Sequence, residues 1–261
     1  MNKKRNHMNL FLIVVLVAFV LAFMDNTMGM GYGSILTAIL ISLGFDPLEA
    51  VPAILLSGTI NGIFISSAHQ LSGNIDFDWK DTPNLKIALL MAGLSFVGVT
   101  LSIILALSLP QRVVKLYIGA MVISMGLLTV LRSRIRIAFS WKKISIIGLL
   151  AAFNKTLTGG GYGPLATAGQ IVSGVSSKES VAITALSESL TSILAIVAYI
   201  IGGVIFNRQL LIFLTGGALL SVPVSAYFVK NIGVQNHNRA IGIVTILLGV
   251  YTAFHMLFVE F

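Results

Sequence analysis

Cysteine is absent from this 261-residue chain, which excludes disulfide frameworks and thiolate metal sites. Charge is scarce too. Asp, Glu, Lys and Arg make up 10% of the residues, where a soluble domain carries about 25%. The few carboxylates and histidines do not cluster at metal-ligand spacing, so no metal is expected. No Ser-His-Asp order of triad kind and no P-loop occurs, and no cofactor is expected. An ATP-driven pump would need a partner subunit. A large polar domain and low-complexity tracts are missing as well. The net charge is +8, but Lys and Arg gather in tails and loops. There they act as topology signals, not as a nucleic-acid surface.

What the chain has in quantity is apolar residue, 56% of the total. Apolar runs of roughly 15–25 residues recur along its length, as in a polytopic helical membrane protein. The predicted fold class is all-α, with about 8 spans among about 8–10 hydrophobic segments, multi-pass in the cytoplasmic membrane. Lys3-Lys4-Arg5 followed by Leu10 to Phe23 has the outline of a signal peptide. The same kind of run recurs at Ile144 to Phe153, so it is read as a retained first helix.

Both of these runs end in a polar, glycine-rich stretch. Gly29, Gly31, Tyr32, Gly33, Thr37 and Ala38 match Gly159, Gly161, Tyr162, Gly163, Thr167 and Ala168 at a constant offset of 130. Roughly a third of positions 22–75 are identical to their partners at that offset, Glu49–Glu179, Ser57–Ser187 and Gly73–Gly203 among them. Near the end the offset shortens to 123, where Gly119 and Gly126 match Gly242 and Gly249. The chain is a duplication: an N-terminal repeat at 1–131, a basic connecting loop at 132–143 and a C-terminal repeat at 144–261. Three glycines in five residues do not hold a regular helix, so each repeat carries a glycine-broken or re-entrant helix. A broken helix that crosses once gives parallel halves. A re-entrant one gives inverted halves. The basic N-terminus and the basic central loop (Arg132, Arg134, Arg136, Lys142, Lys143) favour parallel halves, with both on the cytoplasmic side.

The glycine-rich break after the first helix is similar to that of the sulfite exporter TauE/SafE family of permeases. So are Leu-Gly-Phe-Asp-Pro-Leu-Glu-Ala at 43–50, the helix ending in His69 with Gly73-Asn-Ile-Asp-Phe77 behind it, and the second copy of the break. The resemblance covers essentially the whole chain and implies transport of a small anion, often an organosulfur compound such as sulfite or sulfoacetate. The chain departs from the family pattern at Tyr32, where many members have glycine. It also lacks a proline near Thr37-Ala38, and it has Val51-Pro-Ala53 where Gly-Thr-Ser is common. These departures leave the substrate open.

Breaks in a membrane helix free backbone N–H groups, which survive in a wet cavity and suit an anion. Gly29, Gly31, Tyr32 and Gly33 with Gly159, Gly160, Gly161, Tyr162 and Gly163 are therefore the first candidates for substrate binding; glycine also permits close helix packing. Asp25 and Lys155 are repeat-related charges at the breaks. They read either as an ion pair clasping the halves or as a cation for the substrate with a carboxylate that holds it. Asn26, Thr27, Asn154, Thr156 and Thr158 are candidate donors to substrate, or half-helix caps. Ser57 and Asn61 with Ser187 complete the substrate set. Glu188, Asp25 and His69 are the candidate proton-coupling groups. The implied partners are the bilayer, a small anion and a proton, and a homo-oligomer is compatible. The expected function is a permease, not an enzyme. A passive anion channel and an intramembrane scaffold or enzyme subunit are the alternatives.

Overall fold

The computed structural model describes residues 2–106, 120, 123, 124, 127, 130, 138–158, 162–201, 203 and 207–258. Nine helices and no strand occur among these residues: α1 (Asn2–Met28), α2 (Tyr32–Ser42), α3 (Pro47–Leu71), α4 (Asn84–Ala106), α5 (Trp141–Thr158), α6 (Tyr162–Val172), α7 (Ser177–Ile201), α8 (Arg208–Asn231) and α9 (Val234–Phe258). Four of them are long and apolar enough to cross a membrane: Phe11–Met28, Glu49–Leu71, Ser177–Ile201 and Arg208–Asn231. The stretch Asn84–Gly98 of α4 is apolar but shorter. The apolar run at 113–131 lies largely outside the described residues, as do positions 132–137 of the connecting loop.

Short α2 and α6 follow the two glycine breaks. Gly29 and Gly31 sit at φ of 72° and 117°, which a side chain would strain, and α1 ends there. Both short helices then stop at a repeat-related glycine. Phe45 N–H donates to the Leu40 carbonyl (3.0 Å) across Gly44, and Val175 N–H to the Gln170 carbonyl (3.1 Å) across Gly174. Each is a Schellman stop, the same device twice.

Side-chain pairings fix the direction of each helix. Phe11 stacks on Phe213 and Phe23 meets Phe228 edge to face, so α1 and α8 run the same way. Asn207 donates to Glu49 at one end of α3 and Asn74 to the Ala226 carbonyl at the other, so α3 runs with α8. The α2 residues Leu36 and Leu40 pack with Val14, Ala50 and Leu210, back at the face where α1 enters. Helices α1 and α2 are thus a re-entrant hairpin, and α3 carries the chain to the far face. Asn84 reaches Glu179 and Ser95 reaches Thr191, so α4 and α7 run together, both from the far face. Ser66 meets the Ala182 carbonyl while Gly62 lies against Ala185 and Ser189, so α3 and α7 are antiparallel. The second hairpin, α5 and α6, enters from the far face: Ser140 N–H bonds the Ser173 carbonyl there.

The halves are therefore inverted, and the expectation of parallel halves does not hold. The chain leaves α4 on the entry face and resumes at residue 138 on the far face, so the N-terminal end of α1 and the described Lys142–Lys143 end of the basic loop lie on opposite sides. The physical reason is parity. A re-entrant hairpin does not cross, which leaves each half an odd number of crossings.

Packing also interleaves the halves. Helices α1, α2 and α3 share a core with α8 of the second repeat. Helices α5, α6 and α7 share one with α4 of the first. Lipid supplies no hydrophobic drive between helices, so small residues and polar contacts do this work. Gly217 lies against Val15 and Ala18, Gly98 against Leu149 and Ala152, and Gly62 against Ala185, each where a methyl group would meet a neighbour's backbone.

Candidate functional site

The head of α6 meets the first glycine break in the interior. Gly163 at the head of α6 packs on the Gly29 carbonyl and on Met30. Thr167 donates to the Gly29 carbonyl (3.1 Å), its hydroxyl lies 3.0 Å from that of Thr184, and Gln170 donates to Thr184 (2.8 Å). Residues 162–171 of α6 are all buried. The second hairpin is thus sealed against the tip of the first.

Beside this contact lies a cavity of about 60 Å3. A buried water needs about 10–15 Å3 measured the same way, so the space suits a few waters or one small molecule. Its polar end is formed by Asp25, Lys155, Glu188, Ser189 and Ser192. From there it runs between α2 and α3 past Tyr32, Gly33, Gly58 and Thr37 to Val51, Ile54 and Leu55. Val51 stands about one turn from the entry-face end of α3, so the cavity extends toward that face.

Lys155 is the centre of the polar end. Its Nζ donates to Ser192 Oγ (2.9 Å) and to Glu188 Oε1 (3.3 Å), and it stands 5.5 Å from the centroid of the Tyr162 ring. The Lys155 and Glu188 side chains are 14% and 28% exposed, so the pair is largely but not wholly withdrawn from solvent. Glu188 and Ser192 are four apart on α7, which puts both on the face that Lys155 meets. The Asp25 carboxylate accepts from Tyr32 N–H (3.3 Å) and so caps the start of α2. Where the second repeat has Lys155, the first has Asp25, and this exchange breaks the symmetry of the two tips. The expected Asp25–Lys155 ion pair is not what forms: Lys155 pairs with Glu188 of its own half. The two tyrosines keep the symmetry. Tyr32 OH lies 2.8 Å from Ser57 Oγ, and Tyr162 OH donates to Ser187 Oγ at 3.1 Å.

Of the residues the sequence singled out, the structure gathers Asp25, Tyr32, Gly33, Lys155 and Glu188 at the cavity, with Ser57, Ser187 and Tyr162 directly behind them. Gly29, Gly31 and Gly163 form the tip contact or its turn. Others go to a separate network. Asn26 and Asn61 exchange hydrogen bonds, and Asn26 also donates to Ser221 (2.9 Å). Thr27 bonds back to the Phe23 carbonyl within its own helix. His69 is fully buried; it donates from Nε2 to the Asn26 carbonyl (3.0 Å) and accepts from Asn74. His237 does the same for the Thr27 carbonyl at 2.6 Å. The two imidazoles satisfy carbonyls that the last turn of α1 leaves unpaired. His69 is thereby a cap, placed away from the cavity. Gly159, Gly160 and Gly161 lie outside the described residues, and the side chains of Asn154, Thr156 and Thr158 lie outside the description.

Sequence reasoning missed Ser192, Gly58, Gln170, Thr184 and His237. One signal was available: Ser192 is one turn beyond Glu188. The role of His237, 210 positions from Thr27, left no local trace.

The family model described as Sulfite exporter TauE/SafE matches residues 14–252. A Bacillus subtilis (strain 168) protein named "Probable membrane transporter protein YtnM" is 23% identical over 257 residues, covering 94% of this chain and 83% of that protein. No solved structure matches.

Proposed function

The chain belongs to the sulfite exporter TauE/SafE family and is a membrane transporter; from that premise we propose that it moves a small anion by alternating access, coupled to protons. The observation that carries this reading is Lys155, an ammonium group held at a cavity where two oppositely inserted hairpins meet. An anion entering the polar end replaces Glu188 as the partner of Lys155, with Ser189 and Ser192 as hydroxyl donors beside it.

The charge count gives the proton its role. Asp25, Glu188 and Lys155 ionised together carry one net negative charge. A monoanion adds a second. Two unit charges about 4 Å apart at an effective dielectric of about 20 interact by about 4 kcal/mol. That repulsion exceeds what one hydrogen bond to a hydroxyl returns, about 0.5–1.5 kcal/mol. Anion entry therefore favours taking up a proton on a carboxylate of the cavity, Asp25 or Glu188. Inverted repeats supply the access change. The tip contact at Gly29, Thr167 and Thr184 closes the far face, and the equivalent contact of the other hairpin closes the entry face in the alternate state.

The test is binding and flux together. Sulfite, sulfoacetate, thiosulfate, sulfate and acetate are offered to purified protein in a thermal-shift assay. A ligand at 100 times its Kd stabilises the folded state by about 2.7 kcal/mol. A selective shift that is lost in Lys155→Ala supports the anion site. Counterflow of labelled against unlabelled anion in proteoliposomes marks a carrier. Absence of any shift in folded protein refutes the anion assignment, and conduction without counterflow refutes alternating access.

A further inference from the structure

Two of the glycines on the cavity wall have free space where a side chain would project. A Cβ on Gly33 would meet nothing within 4 Å, and one on Gly58 would meet only Tyr32 ring carbons at 3.7 Å, ordinary van der Waals distance. Neither residue has a φ in the left-handed range, so neither is a glycine for backbone reasons. Their repeat partners are used otherwise. Gly163, the partner of Gly33, is pressed against the Gly29 carbonyl and Met30. Glu188, the partner of Gly58, carries the carboxylate that Lys155 holds. The first repeat therefore contributes open wall to the cavity at Gly33 and Gly58, where the second has a tightly packed glycine and a carboxylate. The wall beyond them, at Val51, Ile54 and Leu55, is aliphatic. A cavity with an ammonium group at one end and aliphatic side chains at the other fits an anion that carries a short uncharged tail.

We propose that Gly33 and Gly58 are specificity determinants that set how long a tail the transported anion can have. This rests on the anion reading above and deepens it. The tail lies along the α2–α3 slot, its charged head at Lys155, and a methyl group at either glycine takes the room of the last carbon.

The experiment uses the straight-chain alkanesulfonates from methanesulfonate to pentanesulfonate as probes. Their affinities for the purified full-length protein are measured for wild type, Gly33→Ala, Gly58→Ala and Gly93→Ala. Gly93 on α4 is exposed and also has open space at its Cβ, so it serves as the control for a glycine-to-alanine change in a helix. One methylene in an apolar pocket is worth about 10- to 200-fold. The expected result is a loss of that size at the longest ligand wild type accepts, growing with chain length, in both cavity variants and absent in Gly93→Ala. Two variants guard against one failing to fold, and the unliganded melting temperature checks each. If wild type binds the series and both folded variants keep its chain-length profile, or lose affinity equally at every length, the size role is overturned while the anion site stands. If wild type binds sulfite or acetate but none of the series, the size role is overturned while the anion site stands; if it binds no anion at all, the anion reading fails and the size role falls with it.

Discussion

Replacing Lys155 by alanine should destabilise the protein, and removing the charge of Glu188 in the same chain should give part of that stability back. Lys155 makes one hydrogen bond to a hydroxyl and one to a carboxylate, at 2.9 and 3.3 Å. A hydrogen bond to a charged group contributes about 1.5–3 kcal/mol. The 3.3 Å distance and the 28% exposure of Glu188 place this pair at the low end of that range. Lys155→Ala also leaves Glu188 and Asp25 as two carboxylates on one cavity with no cation between them. The expected cost is about 2–3 kcal/mol, which for a chain of this size lowers Tm by roughly 5–10 °C. Glu188→Gln alone should cost about 1 kcal/mol, since the amide oxygen still accepts from Lys155. The double variant should be no less stable than Lys155→Ala alone, giving a coupling of about 1–2 kcal/mol in the cycle. Thermal unfolding in one detergent, at one pH and without added anion, measures all four proteins. If the two effects add to within about 0.5 kcal/mol, the residues are energetically independent. The Lys155–Glu188 contact would then be incidental, and the charge count behind proton coupling would lose its basis.

The remaining predictions concern topology, the buried network and the proton. Because the chain has no cysteine, single introduced thiols report sidedness cleanly: Arg208→Cys and Phe139→Cys should react with an impermeant reagent from opposite faces of the membrane, and labelling from one face would refute the inverted arrangement. Asn61→Ala removes the amide that exchanges hydrogen bonds with Asn26, leaving a buried group unpaired, and should cost about 1–3 kcal/mol with no change in anion selectivity. A change in selectivity would move that network into the binding site. In proteoliposomes, flux that rises with a proton gradient in wild type should lose that dependence in Glu188→Gln or in Asp25→Asn. A gradient response that persists in both would remove the carboxylates from coupling.

Much of this arrangement was legible in the residues, because duplication doubles the signal. The recurrence of Gly-x-Gly-Tyr-Gly at an offset of 130 located the start of both short helices, and the charges before them, Asp25 and Lys155, marked the cavity. Orientation was not legible. Hydropathy reports that a segment is apolar, and α2 is as apolar whether it continues outward or turns back beside α1. The turn is made by Gly29 and Gly31 in left-handed backbone, and it is held by contacts to residues far along the chain, such as Leu36 and Leu40 against Leu210 and Leu214. Positive charge at both ends of the first half pointed the wrong way, because the charge signal cannot tell a helix that crosses from one that returns. The polar residues divided for a similar reason. Asn26, Asn61 and His69 have the composition of a binding site, yet their bonds go to one another, to Ser221 of α8 and to Asn74, and none of the three lines the cavity. Conversely Gly58 carries no chemistry at all. It lines the cavity as open wall while its repeat partner Glu188 lines it as a carboxylate, so the two copies of one position enter the same cavity in different roles that neither motif announces.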